Sequence, residues 1–329
     1  MHRTLTLALL PFTLAMAAPT GYHVISTIKI GGEGGWDYLT VDSGAHRLYV
    51  SHATHVVVVD TEAGKVVGDI PDTPGVHGIA IAPELNRGFI SNGRGNNVTI
   101  FDLKTLAAIS KVNTGENPDS IRYDSVSGQV FAFNGRSKSA TVIDAKTGNV
   151  AGTIPLPGKP EFSVADGKGK VYVNIEDTAE IVEIDAAKPA VTKKYSLSPC
   201  EEPSGLAIDT KNRRLFSACS NRVMAVSDPD AGKVVATPAI GARSDGAAFD
   251  PGTGYAFSSN GDGTLTIVQQ MGGKWEVLEN IATESGARTI AVDDRTHRLY
   301  LPTAKVAPSQ GGGRPTYLPD TFQVLVVGK

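Results

Sequence analysis

The apolar residues of this chain come in short runs punctuated by Gly, Asn, Asp and Pro, without the 3.6-residue period of an amphipathic helix. One stretch serves as a template. Gly78-Ile79-Ala80-Ile81-Ala82 reads as a small, apolar strand and Pro83-Glu84-Leu85-Asn86 as a turn. Arg87 to Asn92 forms a second strand, Gly93-Arg94-Gly95-Asn96 a polar loop, and Val98 to Asp102 a half-buried third strand. Ala108 to Val112 is a more polar fourth strand. The same order recurs along the chain. Its alignable inward-facing residues are Asp37, His77, Asp119, Glu161, Ser204, Asp245 and Arg288, at spacings of 40, 42, 42, 43, 41 and 43. A period of this length built from short strands predicts blades of antiparallel sheet around an axis.

The two ends of the chain complement each other. The seventh unit offers strands at 287–292, 298–301 and 322–327, and no fourth. His23 to Ile30, ahead of the first unit, is patterned like the fourth strand Lys65 to Ile70. The expectation is an all-β, seven-bladed β-propeller with four-stranded antiparallel blades, its ring closed by the N-terminal strand pairing with the last blade. Residues 18–329 then make one propeller domain, although their number alone would suggest two.

Residues 1–17 are expected to be a signal peptide: Arg3, an apolar stretch from Leu5 to Leu14, and a cleavage signal at Ala15-Met16-Ala17. The stretch is too short to span a bilayer. These features predict a bacterial periplasmic or secreted protein without a membrane span, cleaved near Ala17. The 31 basic and 34 acidic residues give a net charge of −3. That balance supplies no basic field for phosphate backbones, so nucleic acid is not an expected partner. Cys200 and Cys219 flank the first two strands of the fifth unit on one face, and in an oxidising compartment they are expected to form a disulfide.

The stretches HRLYVSHATHVVVVDTEAGKVV and RGFISNGRGNNVTIFDLKTL resemble the YVTN-repeat propellers, in particular their YncE-like exported branch. The likeness runs over essentially all of residues 18–329. It implies a seven-bladed ring and carries no single activity. Some members of that branch are associated with DNA, which the charge of this chain does not favour.

In a four-stranded blade, the loop leading into the first strand and the loop joining the second to the third share one face. That face gathers the candidate ligand-binding residues Asp37, His77, Arg94, Asp119, Arg136, Glu161, Glu176, Asp245 and Arg288. His52, Asn92, Asn134, Asn221 and Asn260 form a second tier. Trp36 and Tyr38 are placed near the axis, either as a stacking wall or as a packing plug. His46 and His297 fall in equivalent turns on the opposite face and read as solvated turn residues. One divalent metal ion is the candidate cofactor, with His52, His77, Glu161 and Glu176 as the ligand set. His52 and His55, three apart on a strand, point to opposite faces unless Ala53-Thr54 is already loop. The seventh unit's connection at 304–320, with Pro308, Gly311-Gly312-Gly313 and Tyr317, is a lid, a partner contact or a disordered insertion.

The leading functional expectation is a binding protein for a small polar molecule, a metal-bearing ligand or a peptide at the axial mouth. The alternative is a metal-assisted, lactonase-like hydrolase or a lyase, with His77 as general base, Glu161 or Glu176 as ligand or acid, and Arg288 clamping an oxyanion. A third class is a protein-interaction scaffold. No nucleophile elbow, phosphate-binding P-loop or haem attachment motif is present in the sequence.

Overall fold

The computed structural model describes residues 19–307 and 316–329. The signal-peptide reading of residues 1–17 and the middle of the blade-seven connection, 308–315, lie outside the described residues. Strand β1 (His23–Lys29) precedes blade 1, which holds β2 (Leu39–Asp42), β3 (Arg47–His52), β4 (His55–Asp60) and β5 (Lys65–Ile70). Blade 2 holds β6 (Val76–Ala82), β7 (Arg87–Asn92), β8 (Asn97–Asp102) and β9 (Ala108–Asn113). Blades 3 to 6 repeat the pattern with β10–β13 in 118–155, β14–β17 in 160–196, β18–β21 in 203–236 and β22–β25 in 244–282. Blade 7 takes β26 (Ala291–Asp293), β27 (Arg298–Thr303) and β28 (Gln323–Gly328). Its fourth strand is β1, which pairs antiparallel with β28 from His23↔Gly328 to Lys29↔Gln323.

Seven four-stranded sheets therefore form the ring that the repeat predicts. Alternation along each strand is what joins them, because successive side chains face opposite neighbours. On β7, Phe89 packs with blade 3 residues such as Ile121 and Val130, while Ile90 packs with Tyr49 and Val58 of blade 1. Seven such clusters fill the seven joints between blades. The last two seat the ends of the chain: Tyr22 lies among Phe257 and Ile267 of blade 6, and Ile28 among Leu48, Val50 and Val57 of blade 1.

Polar repeats hold the backbone. Buried aspartates at the end of the first strands cap the following turns, as where Asp42 accepts from Ala45 N at 3.0 Å and Asp124 from Ser127 N at 2.8 Å. The equivalent Asp250 is reached from the next blade by His297 Nδ1 at 2.9 Å. His297 is thus a partner of a buried carboxylate rather than a solvated turn residue. His46 lies 3.3 Å from the exposed Glu62. In blade 7, the first strand runs over Ala291–Asp293 rather than the expected 287–292, and Arg288 and Thr289 ahead of it bond sideways to neighbouring blades. Ser259 donates to Arg288 O at 2.6 Å, and Thr289 Oγ1 to Asp37 O at 2.7 Å.

Candidate functional site

The loops leading into the first strands and those joining second to third strands are tied together on one face by a repeated backbone bond. It runs from Gly93 N to Gly75 O (2.9 Å), Gly135 N to Asn117 O (2.8 Å), Glu176 N to Lys159 O (2.8 Å) and Gly261 N to Arg243 O (3.0 Å). Serines of the second strands also fix the axial backbone. Ser51 Oγ accepts from Asp37 N at 2.8 Å, and Ser91 donates to Asp119 O at 2.5 Å. The side chains of the axial residues are therefore presented from anchored positions.

Those side chains form pairs that the sequence does not reveal. His77 Nδ1 lies 2.5 Å from Asp37 Oδ2 and 3.6 Å from Asp119 Oδ1. Arg288 Nε donates to Asp245 Oδ2 at 2.8 Å, and its Nη2 to Trp36 O at 3.0 Å. Lys159 Nζ lies 2.6 Å from Glu161 Oε1 and also donates to Glu176. Tyr38 of blade 1 reaches across the axis, donating to Glu161 Oε2 of blade 4 at 3.5 Å. Its ring packs against Phe162 at 4.6 Å, so of the two readings Tyr38 is a plug.

Burial dominates the electrostatics. Desolvation, reinforced by the charges of Asp37 and Asp245 and opposed by His77, raises Asp119 to about 7. Desolvation and the charge of Asp119 raise Glu161 to about 9 against the pull of Lys159. Asp245 is raised by burial and by Asp37, with Arg288 opposing. For His77, burial works against the imidazolium, but Asp119 and the hydrogen-bonded Asp37 outweigh it and raise the group to about 9. The mouth thus crowds acids together and retains protons to do so.

Other expected residues fall elsewhere. Asn92, Asn134 and Asn260 are buried in their blades, donating to Thr99 (2.8 Å), Thr141 (3.0 Å) and Thr266 (3.0 Å), and do not face the mouth. Asn221 bonds Pro199 O. Arg94 and Arg136 are exposed, and their guanidinium groups make no hydrogen bond or ion pair among the described residues. His52 is buried and stacked on Phe322 at 4.3 Å, and burial lowers it to about 4. Ala53-Thr54 is a two-residue turn, so His52 and His55 are cross-strand partners with ring centroids 4.8 Å apart. The strand has already ended at His52, so the exception under which the two histidines share a face is the one realised. Among the described residues, the potential metal ligands that converge within 4.8 Å are Asp37, His77 and Asp119. His52, Glu161 and Glu176 are outside that group.

The sequence reading missed Lys159, although it stands two residues before Glu161, just ahead of the same strand. Cys200 and Cys219 are bonded, with Cα atoms 5.5 Å apart. The described stem of the blade-seven connection is anchored: Val306 bridges Tyr317, which packs on Trp36 at 4.6 Å. Among the described residues no helix is long and apolar enough to cross a membrane.

Fold and site together define a seven-bladed β-propeller with an acidic axial mouth on one face. Comparison with known proteins places it further. The chain is 24% identical over 145 residues to "Uncharacterized protein YncE" of Salmonella typhi, a match covering 42% of this chain and 41% of that protein. It is 27% identical over 103 residues to the protein of the same name from Salmonella typhimurium strain LT2, covering 31% and 29%. The chain thus spans well under half the length of these curated relatives. A solved structure of Kuenenia stuttgartiensis hydrazine synthase superposes with a TM-score of 0.72 at 15% identity, over 85% of this chain and 96% of that one, which shows a shared fold. No family model matches the chain. The YncE matches and the seven blades support a YncE-like β-propeller family. With the disulfide, they are consistent with a periplasmic protein.

Proposed function

We propose that the protein is an exported binding propeller that takes a small cationic or polar ligand, free or as part of a peptide, at its axial mouth. The observation that carries this reading is the imbalance at the axis. Asp37, Asp119, Glu161, Glu176 and Asp245 meet two permanent cations, Lys159 and Arg288. Burial holds Asp119, Glu161 and Asp245 above the usual carboxylate range, and an incoming cation favours their ionised forms and offsets that cost. The exposed Arg94 and Arg136 stand on the loops of the same face and are the residues able to meet a polar or anionic end of a larger ligand.

A ligand screen read by the melting temperature tests this. A cationic ligand is expected to raise the midpoint, and Asp119→Asn, Glu161→Gln and Asp245→Asn together are expected to abolish the rise. A rise that persists in the triple variant rejects the site. The hydrolase reading needs His77 as a general base, and its retention of a proton near neutrality argues against that role.

A further inference from the structure

Resting on this axial-site reading, we infer that Asp37, His77 and Asp119 form a binding site for one divalent first-row transition ion of the Zn²⁺ or Mn²⁺ kind. The three residues come from three successive blades, and their ligand-capable atoms lie within 4.8 Å of one another. Ligands held about 2.1 Å from a tetrahedral ion are separated by about 3.4 Å. Asp119 Oδ1, 3.6 Å from His77 Nδ1, already has that separation. Asp37 Oδ2, at 2.5 Å, has the spacing of a shared proton and needs to move by about 1 Å to share an ion instead.

A second observation points to a ligand independently of the clustering. Asp119 is only 8% exposed, and its Oδ1 is buried without a hydrogen-bond partner. A buried polar atom left unsatisfied is costly, and this one is aimed at the His77 ring. Charge agrees with the assignment. Arg288 pairs with Asp245 and Lys159 with Glu161, which leaves Asp37 and Asp119 with His77 alone between them. Two carboxylates neutralise a dication, and the imidazole nitrogen favours a transition ion over Mg²⁺ or Ca²⁺. The backbone supports are already in place: Ser51 holds Asp37 N, Thr289 holds Asp37 O and Ser91 holds Asp119 O.

Calorimetric titration of the chelator-treated protein with Zn²⁺, Mn²⁺ and Mg²⁺ tests the assignment. One equivalent of Zn²⁺ is expected to bind, with Mg²⁺ far weaker. Asp119→Asn and His77→Gln are each expected to weaken Zn²⁺ by at least about 100-fold, while His52→Ala leaves it unchanged. Should Asp119→Asn melt early, Asp37→Asn carries the same expectation. No Zn²⁺ binding at millimolar concentration, or binding that survives the axial substitutions, overturns the metal site. If Zn²⁺ fails but agmatine binds in a manner that depends on Asp119, the metal assignment falls and the axial reading stands. If neither binds, both fall.

Discussion

Ring closure by β1 gives the sharpest quantitative test, because two isoleucines on that strand have opposite surroundings. Ile28 is 4% exposed and packed between blades 7 and 1, whereas Ile25 is 37% exposed on the outer edge. Truncating Ile28 to Ala removes three buried carbons. At about 0.8 kcal/mol each this is roughly 2.4 kcal/mol of transfer free energy. Incomplete collapse of the cavity brings the cost to about 3–4 kcal/mol, within the range seen for such truncations. For a domain of this length the unfolding entropy is about 0.65 kcal/mol/K, so the midpoint falls by about 5 °C. Ile25→Ala is expected to move it by less than about 1 °C. Scanning calorimetry of both variants, with bound fractions of a hydrophobic dye as a check on exposed edges, reads the difference. Equal shifts for the two substitutions would refute the docking of β1 as the fourth strand of blade 7.

Replacing Cys200 and Cys219 together by Ala opens a loop closed across 19 residues, which costs about 3 kcal/mol, or about 5 °C in calorimetry. Gly93→Ala would bring a Cβ within 2.5 Å of His77 Nε2, so it is expected to displace the ring, cost about 1–3 kcal/mol and shift the His77 resonances in NMR spectra. Stability should also depend on pH through the axial cluster. His77 titrates near 9 in the fold against 6.5 when free, so its contribution is complete below 6.5 and is lost as pH rises through about 9. Asp119, raised from 3.8 to about 7, penalises the fold increasingly over that interval, and its sign is the same. The melting midpoint is therefore expected to fall from pH 6 to 9, and less steeply in Asp119→Asn; identical slopes would contradict the raised values. His52 acts in the opposite direction, since a group lowered to about 4 removes stability as pH drops below 6.5. His52→Phe should thus resist acid better than the unsubstituted protein in the same melting assay.

The architecture was open to reading from the sequence because strand pattern and repeat length are local properties, and each of the template strands predicted over residues 78–112 is found within two residues of its expected ends. Closure was equally readable, since a missing fourth strand at one end and a spare strand at the other have one joint solution. The axial residues were legible as positions. Their pairing was not, because Tyr38 meets Glu161 across 123 residues and His77 meets Asp119 across a blade boundary. No periodicity encodes such distances. Where the sequence left two alternatives, one residue decides between them: Ala53 at φ 54° turns the chain and sets His55 opposite His52. The second-tier asparagines misled because a polar side chain at a strand end can turn inward to a threonine as readily as outward to a ligand.

Tyr38 has a mechanical consequence. With its ring on Phe162 and its hydroxyl on Glu161, it ties the first blade to the fourth across the axis. A brace between distant blades resists their drifting apart, so acids contributed by separate sheets keep their mutual distances when something enters between them.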